Sequence, residues 1–137
     1  MARDKFHQEV KEALQSDGWT ITNDPLYLKI GRIPIHIDLG AEKLIGAEKE
    51  GQEIAVEIKT FGNPSFITAL YEAVGKYIIY LEALNYVESH RTLYLAVPLK
   101  IYTDFFEEPI VKNTFLKYDI KFIIYNPHSK DKIQWIK

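Results

Sequence analysis

The sequence predicts an α/β (α+β) fold in which a mixed central β-sheet is flanked by helices. Residues 4–15, and the stretch from Pro64 to about Tyr86, repeat their apolar positions at helical spacing. Residues 33–39 and 53–60 alternate apolar and polar side chains as strands do, whereas 92–97 is almost continuously apolar, like a strand buried on both faces. This order of elements indicates one mixed sheet with helices packed against it.

Length and composition are those of one globular domain. The chain has 137 residues, of which 47% are hydrophobic and 26% charged, and residues 1–137 are predicted to share a single core. No apolar run approaches the ~18 residues of a membrane span, so we expect a soluble, cytoplasmic protein with no membrane contact. Cysteine is absent from the sequence, which excludes disulfides and thiolate metal sites.

The N-terminal half is predicted to begin with a helix and continue as strands. A helix is predicted at 4–15, and Gly18 is placed to terminate it. Strands follow at 20–22 and 26–30. Residues 33–39 form the strand that carries Asp38, and Pro34 favours a sheet edge for it.

An antiparallel meander and the long helix come next. Strands 44–49 and 53–60 are joined by a turn at 50–52, and Asn63-Pro64 is predicted to cap the long helix. The C-terminal part is then predicted as a strand at 92–97, a helix at 105–117 whose start Pro109 leaves open, and strands at 121–125 and 132–136.

The candidate site consists of Asp38 and the tripeptide Glu57-Ile58-Lys59. Strand periodicity places Glu57 and Lys59 on the same face, so an acid and a base stand side by side on the sheet. Two carboxylates can hold Mg²⁺ or Mn²⁺, and an adjacent ammonium can offset phosphate charge, which is the layout of a phosphodiester-cleaving site. The alternative interpretation is a half-solvated strand whose Glu and Lys point into water.

The order of these elements resembles the core of the PD-(D/E)XK nuclease superfamily, which is restriction-endonuclease-like. Four strings resemble the XisH family of fdxN-element excision controlling factors, and the resemblance runs essentially from end to end. The strings are Asp17-Gly18-Trp19-Thr20-Ile21-Thr22, Ile37-Asp38-Leu39-Gly40-Ala41-Glu42, Ala55-Val56-Glu57-Ile58-Lys59 and Leu93-Tyr94-Leu95-Ala96-Val97-Pro98.

The resemblance implies a role and a set of site residues. The role is that of a cyanobacterial accessory factor for removing a DNA element during heterocyst differentiation, alongside a XisI-type protein and a site-specific recombinase. The resemblance makes Asp38 and Glu57 the catalytic metal carboxylates, the backbone carbonyl of Ile58 a third ligand, and Lys59 the residue beside the attacking water.

Two further sets of residues are compared with the superfamily pattern. Superfamily members often add an acid from the first helix, and Glu9 flanks the apolar stripe of helix 4–15 closely enough to lean toward the sheet. Lys76 and Tyr80 have the spacing of the supporting Gln-x-x-x-Tyr pattern, with Lys in place of Gln. The alternatives are a solvated Glu9 and an exposed Lys76 beside a packed Tyr80.

The remaining histidines and acids are weaker candidates. His36 shares the polar face of its strand with Asp38, but a surface or hydrogen-bonded histidine is the commoner outcome. The other histidines are too scattered to show metal spacing, and two further acids near the motif are better read as solvated. These residues are His7, His90, His128, Glu42 and Glu48.

Charge and aromatic content bear on partners. The net charge of −2 predicts that any DNA contact comes from a local patch or through another protein. Aromatic residues make up 13% of the chain, more than its core needs, which favours an interface such as that of a homodimer. Three functions therefore remain open: a Mg²⁺-dependent nuclease, a non-catalytic accessory factor, and a protein-interaction subunit.

Overall fold

The computed structural model describes residues 2–30, 32–35, 42–61, 65–87 and 90–136. Its helices are α1 (Ala2–Ser16), α2 (Phe66–Val87), α3 (Leu99–Phe105) and α4 (Pro109–Lys117). Its strands are β1 (Thr20–Asn23), β2 (Leu28–Ile30), β3 (Ile33–Ile35), β4 (Glu42–Lys49), β5 (Gln52–Lys59), β6 (Arg91–Pro98), β7 (Phe122–Tyr125) and β8 (Ile133–Ile136). Among these described segments, no helix combines the length and apolar character needed to span a bilayer.

The main sheet is mixed, as the sequence predicts. Its strands lie in the order β1-β4-β5-β6-β7-β8. The three central strands β5, β6 and β7 run parallel, and the outer pairings are antiparallel. Because β6 lies between two parallel neighbours and is covered on both faces, its residues from Leu93 to Val97 are all buried, which explains their continuous apolar run.

The β4–β5 hairpin closes through a two-residue turn. Lys49 pairs with Gln52, and the turn residues Glu50 and Gly51 both have positive φ, at 52° and 80°. Positive φ at both positions defines the turn type whose twist matches that of paired strands. The turn therefore fixes the register that places Glu57 opposite Leu44.

The sheet separates two apolar clusters. On one side, α1 packs its Val10 and Leu14 against Ile54, Val56 and Ile58 of β5. On the other side α2 covers β5 and β6, and it is joined there by β2, α3 and α4. The α2 side contains Ala55, Ala69, Ala73, Tyr77, Leu84, Leu93, Leu95, Phe115 and Phe122 among its members.

Three features differ from the sequence prediction. The described part of the predicted strand 33–39 is Ile33–Ile35, and it pairs with β2 in a separate two-stranded sheet instead of extending the meander. The predicted helix 105–117 is two helices, since α3 begins directly after β6 and α4 takes Pro109 as its first residue.

The third difference is the cap of α2. Ser65 supplies it, because its Oγ accepts a hydrogen bond from the backbone N–H of Thr68 at 3.3 Å. The predicted cap at Asn63-Pro64 falls two residues earlier and lies outside the described residues.

Candidate functional site

Strand β5 turns Glu57 and Lys59 toward α2. Alternation along the strand sends Val56 and Ile58 into the α1 side, so their charged neighbours face the opposite side of the sheet. Glu57 is 1% exposed and Lys59 is 5% exposed. The interpretation of a half-solvated strand is therefore wrong, because both charged groups are removed from water.

The Lys59 ammonium is held by a glutamate of α2. Lys59 Nζ donates a hydrogen bond to Glu72 Oε2 at 2.9 Å, and the Glu72 side chain is 45% exposed. The pair thus lies where the sheet face opens toward solvent. A buried charge is retained in a fold when an opposite charge and hydrogen bonds compensate it, and Glu72 does this for Lys59.

Glu72 belongs to a row of residues on α2 that includes both supporting candidates. Glu72, Lys76 and Tyr80 are spaced by four, so they lie on one flank of the helix. Tyr80 is buried in the α2-side core and Lys76 is half-buried. Lys76 and Tyr80 were predicted from the sequence and Glu72 was not, although its position one turn before Lys76 was a usable signal.

The two further predicted ligands are Asp38 and the backbone carbonyl of Ile58. Asp38 lies outside the described residues, and so does His36. Ile58 pairs with Lys43 of β4 and Ala96 of β6, which places its backbone between two neighbouring strands near the end of β5. The other residues of the predicted motif, Glu57, Ile58 and Lys59, are described and are consecutive along β5.

Glu9, the predicted metal ligand from the first helix, lies on the α1 side of the sheet. Its Oε2 accepts a hydrogen bond from the Tyr125 hydroxyl at 2.9 Å, and Tyr125 packs in the cluster beneath α1. Burial, together with the hydrogen bond to Glu9, raises the pKa of Tyr125 to about 12. The apolar stripe of α1 docks on the Val56 face of β5, which separates Glu9 from the face that carries Glu57.

Two of the remaining histidines contact acidic side chains. His7 contacts Asp24 at 3.0 Å, and His90 contacts Glu53 at 2.6 Å. Glu48 is exposed on β4. Within the part of the chain that the structure describes, no cluster of three or more His, Asp or Glu side chains is arranged to hold a metal ion.

Comparisons with known proteins give a consistent family. The family model described as XisH protein matches residues 1–133. The crystal structure of an XisH family protein from Nostoc punctiforme PCC 73102 is 42% identical, with a TM-score of 0.87 over 96% of this chain and 98% of that one.

A second solved structure agrees with the first. The fdxN element excision controlling factor protein from Anabaena variabilis is also 42% identical, with a TM-score of 0.88 over 98% of this chain and 100% of that one. No curated protein matches the chain.

Proposed function

The chain belongs to the XisH family, and from this membership and the buried Glu57–Lys59 pair we propose that it is a DNA-processing factor that hydrolyses phosphodiesters with Mg²⁺ or Mn²⁺. The fold that we propose for this chemistry is the restriction-endonuclease-like core of the PD-(D/E)XK superfamily. The protein is proposed to act in the excision of a DNA element, the process for which the Anabaena variabilis protein is named.

The burial of two charged side chains on one strand face carries this proposal. Removing a carboxylate and an ammonium from water costs several kcal/mol each in proteins, at the order of magnitude, before any compensation. Such groups concentrate at functional sites, where charge in a water-poor setting acts strongly on a substrate. Glu57 and Lys59 therefore support a chemical role better than a purely structural one.

The donor set fits a hard divalent cation in kind. Carboxylate and carbonyl oxygens are the ligands that Mg²⁺ prefers, and Asp38, Glu57 and the Ile58 carbonyl would supply them. When bound, such a cation lowers the pKa of water and stabilises charge on the phosphate. Lys59 then offsets phosphate charge through its ammonium and hydrogen-bonds the attacking water. Glu72 keeps that ammonium oriented when no substrate is present.

Partners complete the proposal. A chain of net charge −2 has a weak overall attraction for DNA, so DNA contact is proposed through a local patch, with a XisI-type protein and a site-specific recombinase supplying the rest. Such a division leaves the cleavage step to this chain and target choice to the assembly.

Metal titration and plasmid nicking test the proposal. We expect Mg²⁺ or Mn²⁺ to bind in a calorimeter and the native chain to nick supercoiled plasmid. Lys59→Ala should lower the nicking rate about 100-fold or more while leaving metal binding. Glu57→Gln should lose metal binding as well. Lys100→Ala, which removes a lysine with an 84% exposed side chain on α3, is the matched control and should keep full activity.

A non-catalytic accessory subunit is the second candidate. Its support is the Lys59–Glu72 contact, which engages the ammonium within the protein, together with the negative net charge. Metal binding without nicking, in a chain that is folded by circular dichroism, would favour this candidate. The absence of both metal binding and nicking would leave only a role in protein interaction.

A further inference from the structure

The outward side of α2 is mostly apolar, which is unusual for a helix that packs on a sheet. Its inner side supplies Ala73, Tyr77 and Leu84 to the core, and the opposite side of such a helix is normally polar. Here the outward side carries exposed large apolar residues and a glycine, which together we call the outer stripe. The outer stripe consists of Ile67, Tyr71, Gly75, Ile78, Ile79, Leu81 and Tyr86.

The outer stripe covers a broad arc of α2, which also contains the exposed polar residues Thr68, Glu82 and Asn85. At about 100° per residue its members fall within roughly 160° of the helix circumference, centred opposite the core side. Tyr71 is 69% exposed and Tyr86 is 72% exposed. Apolar patches of this kind on a protein surface mark interaction sites.

A notch lies in the middle of this surface. Tyr71, Gly75 and Ile79 are spaced by four and form one ridge, and a Cβ built at Gly75 has no atom within 4 Å. The gap between the two large side chains lets a second helix approach closely at Gly75. A ridge interrupted in this way is complementary to a copy of itself turned by a two-fold axis.

We propose that the outer stripe is a homodimer interface in which two antiparallel α2 helices cross at Gly75. Tyr71 of each copy packs against Ile79 of the other. Glu82, the acid within this surface, faces Thr68 of the second copy, and the two Glu82 side chains are about 21 Å apart along the helix direction. No like-charged pair is created by these contacts.

The size of the outer stripe suits a second copy of the chain. Its exposed apolar area is roughly 500 Å² per chain, taking about 200 Å² for a full tyrosine. A stable interface buries about 800 Å² per partner, of which about 65% is apolar in homodimers. The outer stripe thus supplies the apolar part of such an interface, and neighbouring polar residues supply the remainder. The inference does not depend on the proposed catalytic function.

Measurement of mass in solution tests the proposal first. Light scattering on the full chain should give twice the mass of one chain. Ile79→Glu should raise the dissociation constant of the dimer about 100-fold or more, because two carboxylates would be buried without partners. Leu116→Glu is the control on another surface, since Leu116 is an apolar residue of α4 that is 73% exposed against 57% for Ile79, and it should leave the dimer intact.

Cross-linking tests the geometry, and the absence of native cysteine makes it clean. An oxidised mixture of Tyr71→Cys and Ile79→Cys chains should form a disulfide dimer, whereas each variant alone should not, because like positions are about 12 Å apart along the helix. A disulfide dimer from Tyr71→Cys alone would indicate parallel helices and overturn the crossing. A monomer at every concentration, or a dimer unaffected by Ile79→Glu, would overturn the interface.

Discussion

Tyr77 joins α2 to two central strands through a single hydroxyl group. The hydroxyl donates a hydrogen bond to the Leu93 carbonyl at 3.0 Å and accepts one from the Lys121 N–H at 3.1 Å. Leu93 lies in β6, and Lys121 directly precedes β7. Because the ring is buried, no water can replace the hydroxyl for either backbone group.

Removal of this hydroxyl should destabilise the protein measurably. Tyr77→Phe leaves two buried backbone groups without their partner, which costs about 1–3 kcal/mol and lowers Tm by about 4–10 °C. Tyr27→Phe removes a hydroxyl from a tyrosine that is 77% exposed and lies outside the proposed dimer surface, and it should leave Tm unchanged. Thermal unfolding followed by circular dichroism makes the comparison, and an equal effect of both substitutions would contradict the role of the Tyr77 contacts.

The same tyrosine should make stability fall at alkaline pH. Burial raises the pKa of Tyr77 to about 12, from an ordinary value of 10.0 that applies in the unfolded chain. Because the pKa of Tyr77 is higher in the folded chain, its protonation contributes to the free energy of unfolding. This contribution is fully present below pH 10 and is lost as pH rises through 12. The difference in free energy of unfolding between the native chain and Tyr77→Phe should therefore narrow over that range. Urea titrations at several pH values would measure it, and a constant difference would contradict the shift.

At the candidate site, the strand period gave the orientation of side chains but not their environment. The alternation of Glu57 with Val56 and Ile58 correctly placed Glu57 and Lys59 on one face. Their burial depends on how closely α2 covers that face, and this is a tertiary contact with no local signal. The same reason explains why Glu72 was missed.

Among the elements, the β4–β5 hairpin depends most clearly on its turn residues. Gly51 has φ of 80°, and a Cβ built there meets no atom within 4 Å. A substitution at Gly51 is therefore unfavourable only because of its backbone conformation. Glu50, with φ of 52°, adopts the same left-handed region without the freedom of glycine.

Substitutions in this turn should change stability in opposite directions. Gly51→Ala should lower the free energy of unfolding by about 1–2 kcal/mol. Glu50→Asn should raise it by about 0.5 kcal/mol, because asparagine tolerates positive φ. Gly75→Ala is the control for added bulk, because the surroundings of Gly75 are equally open but its backbone is helical. In dilute solution this substitution should raise the free energy of unfolding by about 1 kcal/mol. Urea midpoints report all three, and a neutral Gly51→Ala would contradict the turn assignment.

Element boundaries show where local sequence signals end. The hairpin, α1 and β6 were predicted within a residue or two because turn residues or a long apolar pattern mark them. The seven-residue α3 was missed because it has no buried residue of its own and no side-chain cap, so its sequence carries little helical pattern. The pairing of β3 with β2 depends on chain topology, which alternation alone does not specify.

For the whole molecule, the central sheet both divides and connects the apolar interior. Leu14 of α1 packs in the cluster on one side, and Leu84 of α2 packs in the cluster on the other. The strands β5 and β6 contribute side chains to both sides through their alternation. Loss of packing on either side should thus weaken the same strands, and we expect the two sides to unfold as one cooperative unit.

Tryptophan fluorescence can test this cooperativity, because both tryptophans report on the same side. Trp19 and Trp135 are in ring contact at 5.6 Å, and Trp19 belongs to the cluster beneath α1. Leu84→Ala and Leu14→Ala should each cost about 2–5 kcal/mol. Leu84 lies across the sheet from both indoles. If the sheet couples the two sides, Leu84→Ala should nevertheless shift the unfolding transition followed by fluorescence as far as the transition followed by circular dichroism. If only the transition followed by circular dichroism shifts and the fluorescence transition does not, the α1 side unfolds independently, because the two measurements then follow different halves of the interior.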